Sequence, residues 1–193
     1  MRNKDAAIIR YLIEKKNEEL NILTISKAVR MDYKNVHSII KRLEKKSLVT
    51  LESFGQSRRV TLVSQMHPLI FEAEYNRRKE LLRDKNLAVM LNELKKAAPS
   101  KCYVLLMFGS YAKKTQTKSS DIDLMFIIPD GTEEPFEKDI SQAARSLPLP
   151  LQYLVFSEKQ FLDMTHAKQS NVGQEALKNN IILYGIETYY EMI

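Results

Sequence analysis

Four residues near the middle of the chain have types and spacing suited to chemistry on phosphate. Gly109 and Ser110 follow a short apolar run, Cys102 to Phe108, and Asp121 and Asp123 open a second run, Leu124 to Ile128. Apolar runs of this length, bounded by polar loops, predict buried strands. Alternate residues of a strand share a face, so Asp121 and Asp123 project together while Ile122 turns into the core. Two carboxylates that close repel each other unless a cation sits between them. Mg²⁺, which takes one or two carboxylates plus phosphate oxygens, suits such a pair. Ser110 can cap a short helix through Tyr111, Ala112 and Lys113, whose first N–H groups would face a phosphate. The combination predicts a nucleotide site.

Gly-Ser, a loop, then Asp-x-Asp preceded by Ser120 and set between two strands resembles the signature of the DNA polymerase β nucleotidyltransferase superfamily, in particular its minimal members. The resemblance runs from Asn86 to the C-terminus and implies a small mixed sheet flanked by helices. It implies that Asp121 and Asp123 are catalytic and hold Mg²⁺. Gly109, Ser110 and Ser120 would then contact a nucleoside triphosphate, ATP being the expected one, and Lys113, Lys114 and Lys118 would neutralise its charge. A nucleoside monophosphate, AMP from ATP, would pass to a hydroxyl of a protein, RNA or small-molecule acceptor.

Two departures from that pattern stand out. The superfamily's third carboxylate belongs on the next core strand, and aligning Leu151 to Phe156 there puts Gln152 in its place. A glutamine is a poor metal ligand and cannot act as a general base. Glu158, Asp163 and Glu175 are the acids that could substitute in space. Lys114 stands where many relatives have glycine, which would reshape the phosphate loop or extend its helix. These changes support an alternative reading, a DNA-binding regulator whose impaired nucleotidyltransferase-like domain senses a nucleotide or mediates assembly.

The elements that must position the site follow from hydrophobic spacing. Asn86 to Ala98 is an amphipathic helix ended by Pro99, and Glu133 to Leu147 and Glu158 to His166 are further helices. Leu151 to Phe156 and Ile181 to Tyr184 are strands, with a helix over Asn171 to Asn180 between them. Cys102 falls inside the first expected strand and reads as core. With a single cysteine and three isolated histidines, neither an internal disulfide nor a zinc site is expected.

The first third of the chain has a different character. Residues 1–65 carry 14 Lys and Arg against 7 Asp and Glu, a net of +7, while the rest carries 16 against 17, a net of −1. A basic module facing a polyanion is implied. Helices are expected over Asp5 to Lys16, from Thr24 or Ser26 to near Met31, and over Tyr33 to Lys46 with Asp32 as its cap. A brief strand over Asn21 to Leu23 and two strands, Leu48 to Ser53 and Arg58 to Val63, complete it. Three helices and a hairpin resemble a winged helix-turn-helix, which implies duplex DNA as partner. Lys34, Asn35, Ser38, Lys41 and Arg42 on the third helix would meet the DNA, as would Gln56, Ser57, Arg58 and Arg59 at the wing. Many such domains place glycine where this chain has Arg30 or Met31, and Ser47.

The expected class is α+β, with a winged helix over 1–65, a linker helix over 66–85 that offers a homodimer contact, and a nucleotidyltransferase-like domain over 86–193. The charged N-terminus does not read as a signal peptide and no apolar run approaches a membrane span, so a cytoplasmic location is expected.

Overall fold

The computed structural model describes residues 3–55 and 57–193. The chain forms two compact units, Met1–Tyr75 and Asn76–Ile193.

In the first unit, α1 (Lys4–Glu14), α2 (Ile22–Val29) and α3 (Tyr33–Lys45) pack their apolar stripes together. Ile8, Ile9, Leu12, Ile25, Val36, Ile40 and Leu43 are all essentially inaccessible to water. Asp32 caps α3, accepting from the backbone N–H of Lys34 at 2.9 Å. The strand expected over Asn21 to Leu23 is absent. Asn21 instead accepts from the N–H of Thr24 at 2.9 Å and so starts α2 at Ile22, leaving only Asn21 itself bridged to Arg59. Strands β1 (Val49–Phe54) and β2 (Ser57–Leu62) pair antiparallel from Val49–Leu62 to Phe54–Ser57. Three helices followed by this hairpin make a winged helix. Gln56, expected at the wing tip, lies outside the described residues.

Arg30 ends α2 with φ 54° and Ser47 precedes β1 with φ 56°. Both adopt the left-handed conformation that glycine accepts without a Cβ penalty. These are the two places where the winged-helix pattern favours glycine. The backbone path is kept and the side chains bear the strain.

Helix α4 (Pro68–Leu81) leads into the second unit, where α5 (Lys85–Ala97) is capped by Asp84. The sheet has the order β5-β4-β3-β6, comprising β3 (Val104–Met107), β4 (Ile122–Ile128), β5 (Leu151–Ser157) and β6 (Ile181–Tyr184). It is mixed, since β3 runs antiparallel to β4 and β6 while β4 and β5 are parallel. The remaining helices are α6 (Gly109–Lys113), α7 (Glu133–Ser146), α8 (Glu158–His166), α9 (Val172–Lys178) and α10 (Ile186–Met192). Leu87, Met90, Leu94, Phe126, Phe136 and Ile140 join one core around the central strands. Asn180, buried after α9, donates to the Ala176 carbonyl and the Tyr189 hydroxyl, and Arg77 donates to its carbonyl at 2.6 Å. Among the described residues no helix is long and apolar enough to cross a membrane.

The expectation that Cys102 is a core residue is corrected. Its N–H is turned to the Ser100 hydroxyl at 3.0 Å, the strand starts two residues later, and the thiol is exposed. Tyr103 takes the core position, stacked on Tyr184 at 4.4 Å and edge-on to Phe136 at 5.6 Å. Its hydroxyl is buried without a hydrogen-bond partner among the described residues.

Two outcomes follow from these local conformations. Arg30→Gly and Ser47→Gly should each raise stability by about 0.5–1 kcal/mol, read as a higher denaturant midpoint at unchanged slope. Burial, with Tyr184 adding to it, pushes the Tyr103 hydroxyl up to about 12. Below pH ~10 both folded and unfolded chains keep that proton; between about 10 and 12 only the unfolded chain loses it, so stability falls by about 1.4 kcal/mol per pH unit. Stability curves of Tyr103→Phe should lack that increment of alkaline loss.

Candidate functional site

The site forms where β3 ends and β4 begins. Met107 lies across from Leu124, and the next residue, Phe108, still donates its N–H to the Asp123 carbonyl at 3.0 Å. Sheet pairing therefore holds the chain extended through Phe108, and the turn must start at Gly109. Helix α6 begins at Gly109 with Phe108 at its cap position and no side-chain cap bond. The expectation that Ser110 caps this helix is thus corrected; Ser110 lies within its first turn.

Gly109 has φ 62°, and a Cβ there would overlap the Asp123 carboxylate, meeting Cγ at 3.0 Å. The carboxylate lies against the bare Cα of the turn. Ile122 beside it is 1% exposed, whereas Asp121 and Asp123 are half-buried. Their charges act on each other. Burial first, then Asp121, then Glu175 raise the pKa of Asp123 above the ordinary carboxylate value, and Lys113 alone opposes them. In the bare chain a negative charge at Asp123 is disfavoured, and a cation would relieve it.

Gln152 occupies the neighbouring strand position. In the parallel register it is the partner of Asp123, and its side-chain amide donates to Asp121 Oδ2 at 2.6 Å. The third position on this sheet therefore holds a neutral donor. Of the three acids that could substitute, Glu175 from α9 is the one whose field reaches Asp123, and it also pairs with Lys113 at 2.8 Å. Lys114 ends α6 in the left-handed conformation, φ 58°, so it stops the helix and does not extend it. The Ser120 Oγ accepts from the Thr117 N–H at 2.9 Å and lies 3.1 Å from the Thr117 hydroxyl. Lys118 is exposed in the same loop.

Among the described residues no three His, Cys, Asp or Glu side chains are grouped to hold a metal unaided. Two oxygen donors of like charge, half-buried and crowded, still fit Mg²⁺, which commonly takes the balance of its shell from water and substrate phosphates.

On the winged helix the residues expected to face DNA divide into two sets. Lys34, Asn35 and Ser38 are exposed on α3, and Ser57 and Arg58 are exposed on β2. Lys41 pairs with Glu44 at 2.8 Å, Arg42 pairs with Asp5 of α1, and Arg59 pairs with Glu19. Lys41, expected at the DNA, shares a stripe with Tyr33 and His37, which were not; the three, four residues apart, line a cavity of 650 Å³ whose other wall is the hairpin. Their i, i+4, i+8 spacing was the available signal.

Gly109→Ala, at a positive φ and against Asp123, should lower affinity for ATP with Mg²⁺ by at least about tenfold, as measured by calorimetric titration. Far-UV circular dichroism should stay unchanged.

Comparison with known proteins identifies a family for the C-terminal unit. Among solved structures, MepR, a transcription regulator of the Staphylococcus aureus multidrug efflux pump MepA, is 19% identical over 49% of this chain and 75% of its own, with a TM-score of 0.34. A toxin-antitoxin structure with AMP-PNP is 20% identical over 53% of this chain and 78% of its own, with a TM-score of 0.38. No curated protein matches the sequence. Residues 92–188, just over half of the chain and including the Gly-Ser turn, both aspartates and Gln152, match the family model described as polymerase beta, nucleotidyltransferase. The chain belongs to the polymerase beta nucleotidyltransferase family.

Proposed function

We propose that the C-terminal unit transfers a nucleoside monophosphate, AMP from ATP, to an acceptor hydroxyl in a Mg²⁺-dependent reaction, and that the winged helix binds duplex DNA. The observation that carries the first part is the Asp123 carboxylate set against the Gly109 turn, where burial and repulsion from Asp121 make its charge costly without a cation.

Asp121 and Asp123 would hold Mg²⁺, which when bound lowers the pKa of an attacking hydroxyl and neutralises charge on the triphosphate. Gly109 leaves room for the Asp123 carboxylate beside the turn. Ser110, in the first turn of α6, presents its hydroxyl and backbone to the outer phosphates. Lys113 and Lys114 supply positive charge, Lys113 exchanging its Glu175 partner for phosphate oxygens. Gln152 fixes the orientation of Asp121 by donating to Oδ2 and takes no proton.

That same hydrogen bond favours a second reading. Where an acid would draw the proton from the acceptor, Gln152 offers an amide, which suits a unit that binds a nucleotide and transfers nothing. The acceptor in the first reading is a protein or RNA hydroxyl.

One assay separates the two. With α-labelled ATP, Mg²⁺ and cell extract, label should pass to an acceptor, and Asp121→Asn or Asp123→Asn should reduce transfer at least about 100-fold. Gln152→Glu should raise the rate by restoring a group that can take a proton. ATP binding without transfer, unchanged in the Gln152→Glu chain, would support the sensor.

A further inference from the structure

The cavity beside α3 contains groups that phosphate binding does not use. Tyr33 is 47% exposed and Leu23, from the first turn of α2, is 51% exposed, both at this cavity. The Tyr33 and His37 rings stack 6.2 Å apart at 26°. Lys41 and Arg58 flank them, and no carboxylate lines the cavity among the described residues. Large apolar side chains are seldom left open together beside cations without a partner that covers them.

Asn35 and Arg42 are seven residues apart, two helical turns, and so lie on the same side of α3. That side is exposed, and there Arg42 is engaged by Asp5 of α1. Tyr33, His37 and Lys41 lie on the side facing the hairpin. Phosphate contacts set position on a duplex but carry no sequence information, which is read at base edges. Aromatic and apolar groups gain little from phosphates, whereas the edges of a major groove, about 12 Å wide, offer them the thymine methyl group and ring faces.

We propose that Tyr33 and His37, with Leu23 beside them, are the sequence-reading residues of the DNA surface, packing against thymine-bearing base edges while Lys41 and Arg58 hold the flanking phosphates. The assignment rests on the DNA-binding reading above and deepens it. Base discrimination belongs to the hairpin-facing stripe of α3. The charge fits the partner: the first 65 residues carry a net +7 and the cavity adds no negative charge.

The test uses the full chain and a random 30-base-pair duplex pool. Rounds of selection should enrich thymine-containing sites, and the wild type should bind an enriched duplex at least about tenfold more tightly than a random one. Tyr33→Ala and His37→Ala should each collapse that ratio severalfold, by weakening the enriched duplex more than the random one. Tyr33→Phe should keep the ratio, since the ring face remains. Lys34→Ala and Arg58→Ala should instead weaken both duplexes alike and each flatten the salt slope by about 0.9. A Tyr33→Ala chain that keeps its ratio, or a pool that yields no enriched site although the chain binds duplex in a salt-dependent way, overturns the assignment and leaves DNA binding standing. A wild-type chain that binds no duplex at low salt removes the DNA-binding reading itself.

Discussion

Two half-buried carboxylates are each held by a different neighbour where β4 begins. Strand pairing fixes Asp123, because Phe108 donates to its carbonyl, while the absent side chain of Gly109 lets the carboxylate settle against the turn. Asp121 is fixed from the other side by Gln152. Burial, repulsion from Asp121 and the field of Glu175 all oppose a negative charge at Asp123. The mixed sheet, the break at Gly109 and the register between β4 and β5 all serve to hold that arrangement. A divalent cation shared with a triphosphate is the simplest partner that relieves it.

Much of this was legible in the sequence because it depends on local spacing. Asp-x-Asp at the start of an apolar run places two acids on one face whatever lies around them. The apolar stripes of α1 and α3 and the Asp32 cap are equally local. The placing of Gln152 beside the aspartates was legible only through the family resemblance, and the parallel register pairs it with Asp123.

What escaped the sequence depended on competition between groups. Ser110 has the chemistry of a helix cap, but the ladder ends at Phe108 and that residue takes the cap position, two residues earlier. Cys102 has the burial preference of a core residue, but Ser100 captured its N–H and the strand began later. Neither Ser110 nor Cys102 could be placed without knowing where the ladder ends. Equally, α3 offers polar residues around most of its circumference, and the pairing of Arg42 depends on Asp5, 37 residues away in sequence. A different lesson comes from Arg30, Ser47 and Lys114. They stand where glycine is the usual choice in the resembled families, and they are the three non-glycine residues with positive φ among the described residues. The fold preserved the turn and accepted the side chain. Absence of a favoured glycine therefore did not signal a different backbone.

The central claim concerns charge relief by a cation and a nucleotide together. Its most direct test is thermal melting with ATP alone in a chelator, with Mg²⁺ alone, and with both. The account predicts a clear rise in Tm only with both, lost in Asp123→Asn. An equal rise with ATP in chelator, or a rise retained by Asp123→Asn, would contradict it.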